Sequence, residues 1–307
     1  MTDVPRLSIV VPCLNEEAGL ETLVRAVDET GIVGVEFVFV NDGSTDGTLA
    51  VLRRLAESDG RIHYLSFSRR FGKEAALLAG LRKARGAIVV TMDADLQDPP
   101  RLLPEMLRGI EEEGHDCVAT RRTTREGEPP VRSWFARCFY WLMRHFSEVA
   151  LVDGARDYRM MTRQVVEAIL AMPEANRFTK GIYQWVGFDT KWLAFPNEER
   201  KVGETKWSFW RLFRYSLDGI MAFSAAPLML ASLLGVTFCG LSFVALLFVF
   251  VRALVFGDPV GGWPSLVCVI TFLGGLQLFF IGVFGAYLAK TYTEAKRRPA
   301  YFVKEER

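Results

Sequence analysis

The 307-residue sequence is poor in the features that mark several large classes of protein. Its five cysteines, Cys13, Cys117, Cys138, Cys239 and Cys268, form no CxxC pair, so neither a disulfide framework nor a zinc site is expected. The basic surplus is a single charge, Lys+Arg 37 against Asp+Glu 36, which argues against nucleic acid as the main partner. Met1 to Arg6 lacks a basic stretch leading into an apolar one, so no signal peptide is expected and the charged part should stay in the cytosol. No GxGxxG follows the first apolar run, and a dinucleotide site is excluded with it. Charge itself is missing from one region. Between Ser216 and Lys290 only Asp218, Arg252, Asp258 and Lys290 ionise at neutral pH, so a single soluble domain is ruled out.

That region predicts a membrane part. Leu228 to Val251 and Leu266 to Ala289 are uncharged runs of 24 residues each, enough to cross a hydrocarbon core of about 30 Å. The linker between them holds Gly257, Asp258, Pro259, Gly261, Gly262 and Pro264, which suits a helical hairpin. Basic residues flank its outer ends, Arg211 and Arg214 before, Lys290, Lys296, Arg297 and Arg298 after, placing both termini in the cytoplasm. Two amphipathic segments, about 130–147 and 208–225, read as helices lying at the interface. The expected organisation is a cytosolic domain over 1–207, the juxtamembrane helix over 208–225, two spans within 226–289 and a cytosolic tail over 290–307.

The charged part alternates apolar runs with helical patterns. Leu7 to Val11, Val35 to Val40, Ile62 to Phe67, Ala87 to Met92 and Cys117 to Thr120 are continuous rather than alternating, as expected of parallel strands covered on both faces. Ligands of such sheets bind beyond the carboxyl ends of the strands. Three of those ends are acidic: Pro12 to Glu17, Asn41 to Gly47, and Asp93-Ala-Asp-Leu-Gln-Asp-Pro-Pro100. The second is not a calcium loop, because Arg53 stands where a bidentate Glu is required. In the third, an extended chain would point Asp93, Asp95 and Gln97 the same way, an oxygen set suited to Mg²⁺ or Mn²⁺ with a diphosphate completing the coordination.

With these residues in place, the sequence resembles the family 2 glycosyltransferases of GT-A fold, and within them the polyprenyl-phosphate glycosyltransferases of the bactoprenol glucosyltransferase and dolichol-phosphate mannose synthase type. The resemblance runs through Ser8–Glu17, Val40–Asp46, Ser68–Glu74, Met92–Asp98, Asp157–Arg159, Arg177–Gly181 and Val202–Lys206. It implies an α/β fold, a mostly parallel Rossmann-like sheet with helices on both faces, followed by the interfacial helices and the two-helix hairpin. It also implies transfer of one sugar, with inversion, from a nucleotide-sugar donor to a polyprenyl phosphate at the cytosolic face of a bilayer, in a bacterial inner-membrane protein with a tetramer as the expected homo-oligomer. UDP-glucose with undecaprenyl phosphate is the expected donor and acceptor pair; GDP-mannose with a polyprenyl or dolichyl phosphate is the alternative.

Carried over by position, the resemblance assigns Pro12, Asn15, Glu17, Asp42 and Asp93 to the nucleotide. Asp93, Asp95 and Gln97 fall to the divalent metal, and Asp157, Asp95 and Arg159 to catalysis, Asp157 and Arg159 on the acceptor side. Lys206, with Arg200 or Lys201, and the basic stretch containing Arg122 and Arg132 are expected at phosphates. A processive polysaccharide synthase is disfavoured, because none of Gln97, Gln164, Gln184 and Gln277 opens a QxxRW segment. A membrane-anchored scaffold without chemistry would have lost Asp93, Asp95 or Gln97, and all are present.

Overall fold

The computed structural model describes residues 4–122, 152, 154–172, 174–195, 224, 226–256 and 262–307. The expected helix at 130–147, nearly all of that at 208–225, and Arg132, Arg200, Lys201 and Lys206 lie outside these residues, as does the side chain of Arg122.

Eight strands make one sheet: β1 (Leu7–Cys13), β2 (Val35–Asn41), β3 (Ile62–Phe67), β4 (Ile88–Thr91), β5 (Cys117–Arg122), β6 (Ala155–Thr162), β7 (Thr190–Phe195) and β8 (Val303–Glu306). Their spatial order is β7-β5-β6-β4-β1-β2-β3-β8. β1 pairs in parallel with β2 and β4, β2 with β3, and β5 with β7, whereas β6 runs against β4 and β5, and β8 against β3. Each of the five apolar runs is a strand. In β2 all seven residues are buried, as continuous apolar patterning requires when helices cover both faces.

Those helices are α1 (Leu20–Asp28), α2 (Thr48–Ser58), α3 (Lys73–Lys83), α4 (Leu103–Glu111), α5 (Arg163–Ala171) and α6 (Thr179–Trp185). Leu20, Leu23, Leu52, Leu103 and Met106 from α1, α2 and α4 pack on Ile9, Phe37 and Phe39. Leu81, Val166, Ile169 and Ile182 from α3, α5 and α6 pack on Val10 and Val38, the side chains that point to the opposite face. Gly80 lets α3 settle on β1, since a Cβ there would lie 2.3 Å from Val10 Cγ1.

Two long helices follow, α7 (Ala226–Phe256) and α8 (Trp263–Ala295), each extending beyond the uncharged run that predicted it. Among the described residues, Phe272–Ala295 is long and apolar enough to cross a membrane, with mean hydropathy 1.8 and none of it buried; Pro227–Phe238 is a shorter apolar stretch. Met229, Val236, Leu278 and Phe284 are exposed on these helices. Residues 290–307 do not form a separate tail. α8 continues to Ala295, Glu294 accepts the Ala175 and Asn176 N–H groups at 2.9 and 3.0 Å, and β8 then joins the sheet beside β3.

Gly80 supplies a test in which two effects have opposite signs. Alanine in place of glycine ordinarily stabilises a helix interior by about 1 kcal/mol, whereas overpacking a filled core costs about 1–3 kcal/mol. Gly80→Ala is therefore expected to lower the thermal midpoint of the protein in detergent, and a raised midpoint would show that α3 and β1 are not so closely packed.

Candidate active site

The loops that follow β1, β2, β3 and β4 meet at one edge of the sheet, and the first two are stitched together. Asn15, in the left-handed region at φ 56°, accepts the Thr45 N–H at 2.9 Å through its side chain. The Glu17 carboxylate accepts the Gly47 N–H at 3.0 Å, and the Asp42 N–H donates to the Cys13 carbonyl at 2.9 Å. Asp42, nearly buried, turns its carboxylate to the start of α3 and accepts the N–H groups of Phe71 at 2.6 Å and Gly72 at 3.0 Å. Of the residues expected at the nucleotide, Asn15, Glu17 and Asp42 thus shape the loops themselves, while Pro12 is half-buried in β1 opposite Val40.

The next residue, Lys73, stands at the centre. Its ammonium lies 2.6 Å from Asp93 Oδ1 and 2.8 Å from Asp157 Oδ2, tying the end of β4 to the beginning of β6. That proximity follows from topology. Since β6 runs antiparallel to β4 with Arg159 opposite Thr91, the first residues of β6 pass beside the loop that leaves β4. Beneath the pair, Arg156 donates to the fully buried Asp98 at 2.9 and 3.0 Å, and Asp98 accepts the Asp93 N–H at 3.0 Å. Lys180 donates to the Ala155 carbonyl at 3.1 Å.

Burial by itself would raise the Asp157 carboxyl, but Lys73, Lys180 and Arg156 outweigh it and hold the group below the ordinary carboxylate value. The same ion pairs keep Lys73 above its ordinary value in spite of burial, chiefly through Asp157 and then Asp93. For Asp157 the folded value lies under the unfolded one, about 3.9. Its pairing therefore stabilises the fold at neutral pH and is lost only as pH falls below that figure.

Two expectations change. Residues 93–97 are not extended: Ala94 and Asp95 form a turn, Leu96 takes φ 59°, and the Gln97 N–H donates to Asp95 Oδ1 at 3.1 Å. Alternation along a strand therefore does not align Asp93, Asp95 and Gln97. Arg159 is 2% exposed rather than open to an acceptor. Its guanidinium stacks on Tyr183 at 4.5 Å and Trp192 at 5.3 Å, and its Nε has no hydrogen-bond partner among the described residues.

The donor set still fits a hard cation. Asp93 and Asp95 offer two carboxylates with Gln97 two residues further along the chain, and Asp93 already draws an ammonium. Among the described residues no three or more His, Cys, Asp or Glu side chains converge as a metal site. A protein-only cage is thereby disfavoured, but Mg²⁺ commonly needs only one or two carboxylates together with substrate phosphates.

Lys73, Asp98, Arg156 and Lys180 carry no assignment from sequence reasoning. The strand-end rule does reach Lys73, which closes the loop after β3, but that loop is not acidic. Arg156 and Asp98 gain meaning only from the antiparallel insertion of β6, which local patterning does not encode.

Residues 8–170 match the model of the family described as Glycosyl transferase family 2. A bactoprenol glucosyl transferase of Shigella phage SfV is 40% identical over 305 residues, 98% of this chain and 99% of the relative. A prophage bactoprenol glucosyl transferase homolog of Escherichia coli strain K12 is 39% identical, covering 97% and 98% respectively. Glucosyl-3-phosphoglycerate synthase from Mycobacterium tuberculosis, solved with Mn²⁺, UDP-glucose and phosphoglyceric acid, superposes with a TM-score of 0.46 at 22% identity over 71% of this chain and 78% of that one.

The ion-pair geometry makes a statement about pH. Asp157 is expected to stay ionised from about pH 5 upward, so the wild-type rate profile contains no step from it there. Lys73→Met removes the first of the charges that depress it; an acid limb is then expected to enter the profile, with kcat/KM at pH 7 lower by about a hundredfold, roughly 2.7 kcal/mol. A profile identical in shape to wild type would contradict the pairing.

Proposed function

The chain belongs to glycosyl transferase family 2, and from that premise we propose that it transfers a single glucose from UDP-glucose to a polyprenyl phosphate, undecaprenyl phosphate, at a membrane surface, with inversion. The observation that carries this reading is the reach of the similarity. At about 40% identity it extends across practically the full length of the bactoprenol glucosyl transferases, the apolar helices as well as the sheet.

In this reading the nucleoside of the donor lies at the ends of β1 and β2, against Pro12, Asn15, Glu17 and Asp42, and its diphosphate at the end of β4, beside Asp93. A Mg²⁺ or Mn²⁺ held by Asp93 and Asp95, with Gln97, would supply positive charge to the leaving diphosphate. Lys206 with Arg200 or Lys201, and Arg122 and Arg132, are proposed to neutralise phosphate oxygens. An acceptor phosphate has a second pKa near about 6 and is mostly ionised at pH 7, so it needs little help from a base. Asp157, held below the ordinary carboxylate range by its cationic neighbours, is a weak proton acceptor. Its proposed part is to orient, through Lys73 and beside Asp93, the groups that receive the acceptor. Arg159 supports that part from behind, packing the inner side of β6 through Tyr183 and Trp192.

We propose two membrane spans, in α7 and α8. Lengths of 31 and 33 residues correspond to about 45–50 Å, more than a hydrocarbon core requires. Because β7 and β8 belong to one sheet, the chain between Phe195 and Val303 must return to the side from which it left, which favours an even number of crossings. Both reactants then meet at one surface, and fixing the head-group depth is the type of positioning that contributes strongly to rate. The second donor reading, GDP-mannose, is kept distinct by the same experiment.

The test is an assay of protein in detergent with undecaprenyl phosphate, Mg²⁺ or Mn²⁺, and labelled UDP- and GDP-sugars. Label from UDP-glucose is expected in a lipid-extractable product, and chelation is expected to stop its formation. Label entering lipid from GDP-mannose alone would replace the donor, and label entering a polymer or no product would overturn the reading.

A further inference from the structure

The stretch after α8 packs against the same loop that delivers Lys73. Tyr301 stacks on Phe67 with ring centroids 5.0 Å apart, and Phe302 lies 6.2 Å from Phe71. The Phe302 carbonyl accepts the Ser68 N–H at 3.0 Å. Phe71 in turn meets Phe67 edge-on at 5.7 Å and carries the Arg69 guanidinium 4.0 Å over its ring. The backbone N–H groups that hold Asp42 are those of Phe71 and Gly72, and Lys73 follows directly. Gly72, at φ 103°, makes a turn that side chains resist, while Gly43 admits the Arg69–Arg70 backbone where a Cβ would lie 2.6 Å from the Arg70 nitrogen. The 68–72 loop is therefore held from inside by Asp42 and Gly43, and from outside by residues 301 and 302.

Phe302 is 56% exposed, so its ring adds little to the core. Its place is kept by β8, which the Tyr64 hydroxyl and Arg53 bind through Glu305 at 2.5 and 2.8 Å, and Lys83 through Glu306 at 3.0 Å.

We propose that Tyr301 and Phe302 are positioning residues, which set the 68–72 loop and, through its Phe71 and Gly72 N–H groups, Asp42 for the donor. The chain leaving the membrane-side helix is thus part of the donor site's support, although neither ring touches the reacting groups. This rests on the reading above that the Asp42 side of the site receives the nucleotide sugar.

Phe302→Ala and Phe302→Tyr in the full chain test it by two readouts. In the alanine variant, hydrogen exchange is expected to quicken in the peptide spanning 68–73 and to stay unchanged in β1 and β2, and the donor KM is expected to rise about tenfold, the upper worth of an aromatic pair. The kcat and the acceptor KM should stay within about twofold, and Phe302→Tyr, which keeps the ring, should restore wild-type values. Unchanged exchange at 68–73, exchange quickened throughout the sheet, or equal rises in both KM values would overturn the proposal. The exchange readout needs no substrate. If it responds as expected while wild-type protein turns over no nucleotide sugar, the functional reading falls and the coupling of tail to loop stands.

Discussion

One ammonium between two carboxylates organises this site. Asp93 leaves β4 and Asp157 enters β6 at the same edge of the sheet, with Asp98 buried below them, so the fold gathers negative charge where its strands end. Lys73 and Arg156 make that gathering tolerable. Removing one partner of such an arrangement leaves an uncompensated charge, which is far more costly than the intact pair is stabilising. The arrangement is accordingly better understood as a device for geometry than as a source of stability. It brings a carboxylate from the antiparallel insertion next to the acidic end of a parallel strand and keeps the inserted one, Asp157, ionised.

Several levels of structure cooperate in placing that ammonium. α3 begins at Lys73 because Gly72 turns the chain there, and Asp42 accepts the orphan N–H groups of the turn. α3 can lie against β1 because Gly80 presents no side chain to Val10. The outer side of the turn rests on aromatic side chains supplied by the segment that returns from α8. The polar site and the apolar helices are joined by a short path through Phe302, Phe71 and Lys73.

Much of the architecture was legible in the amino-acid order. Five continuous apolar runs became five strands, and two uncharged runs became the cores of two long helices, because burial on both faces and a lack of charge are properties of composition over a window. The acidic ends of β1, β2 and β4 were also readable, since the strand-end rule requires only order along the chain. What escaped depends on pairing across the chain. β6 and β7 carry Arg156, Asp157, Trp192 and other polar or aromatic residues that obscure a strand pattern, and β8, VKEE, has the composition of a solvated tail. The turn at Ala94–Asp95 escaped because an alternation argument presumes extended backbone, and Asp95 instead captures the N–H of Gln97. Arg159 escaped for a related reason. It shares a strand face with Asp157 in pattern, yet Tyr183 and Trp192 enclose it.

The claim that Lys73 and Asp157 act as a unit is tested most directly by a double-mutant cycle on kcat/KM, with Lys73→Met, Asp157→Asn and the combination compared under saturating acceptor. If the ammonium serves chiefly to hold that carboxylate, the combined variant should be little worse than the poorer single variant, with a coupling of about 2 kcal/mol. Effects that add, with the combined loss equal to the product of the two single losses, would show that the two residues contribute independently and would contradict the account.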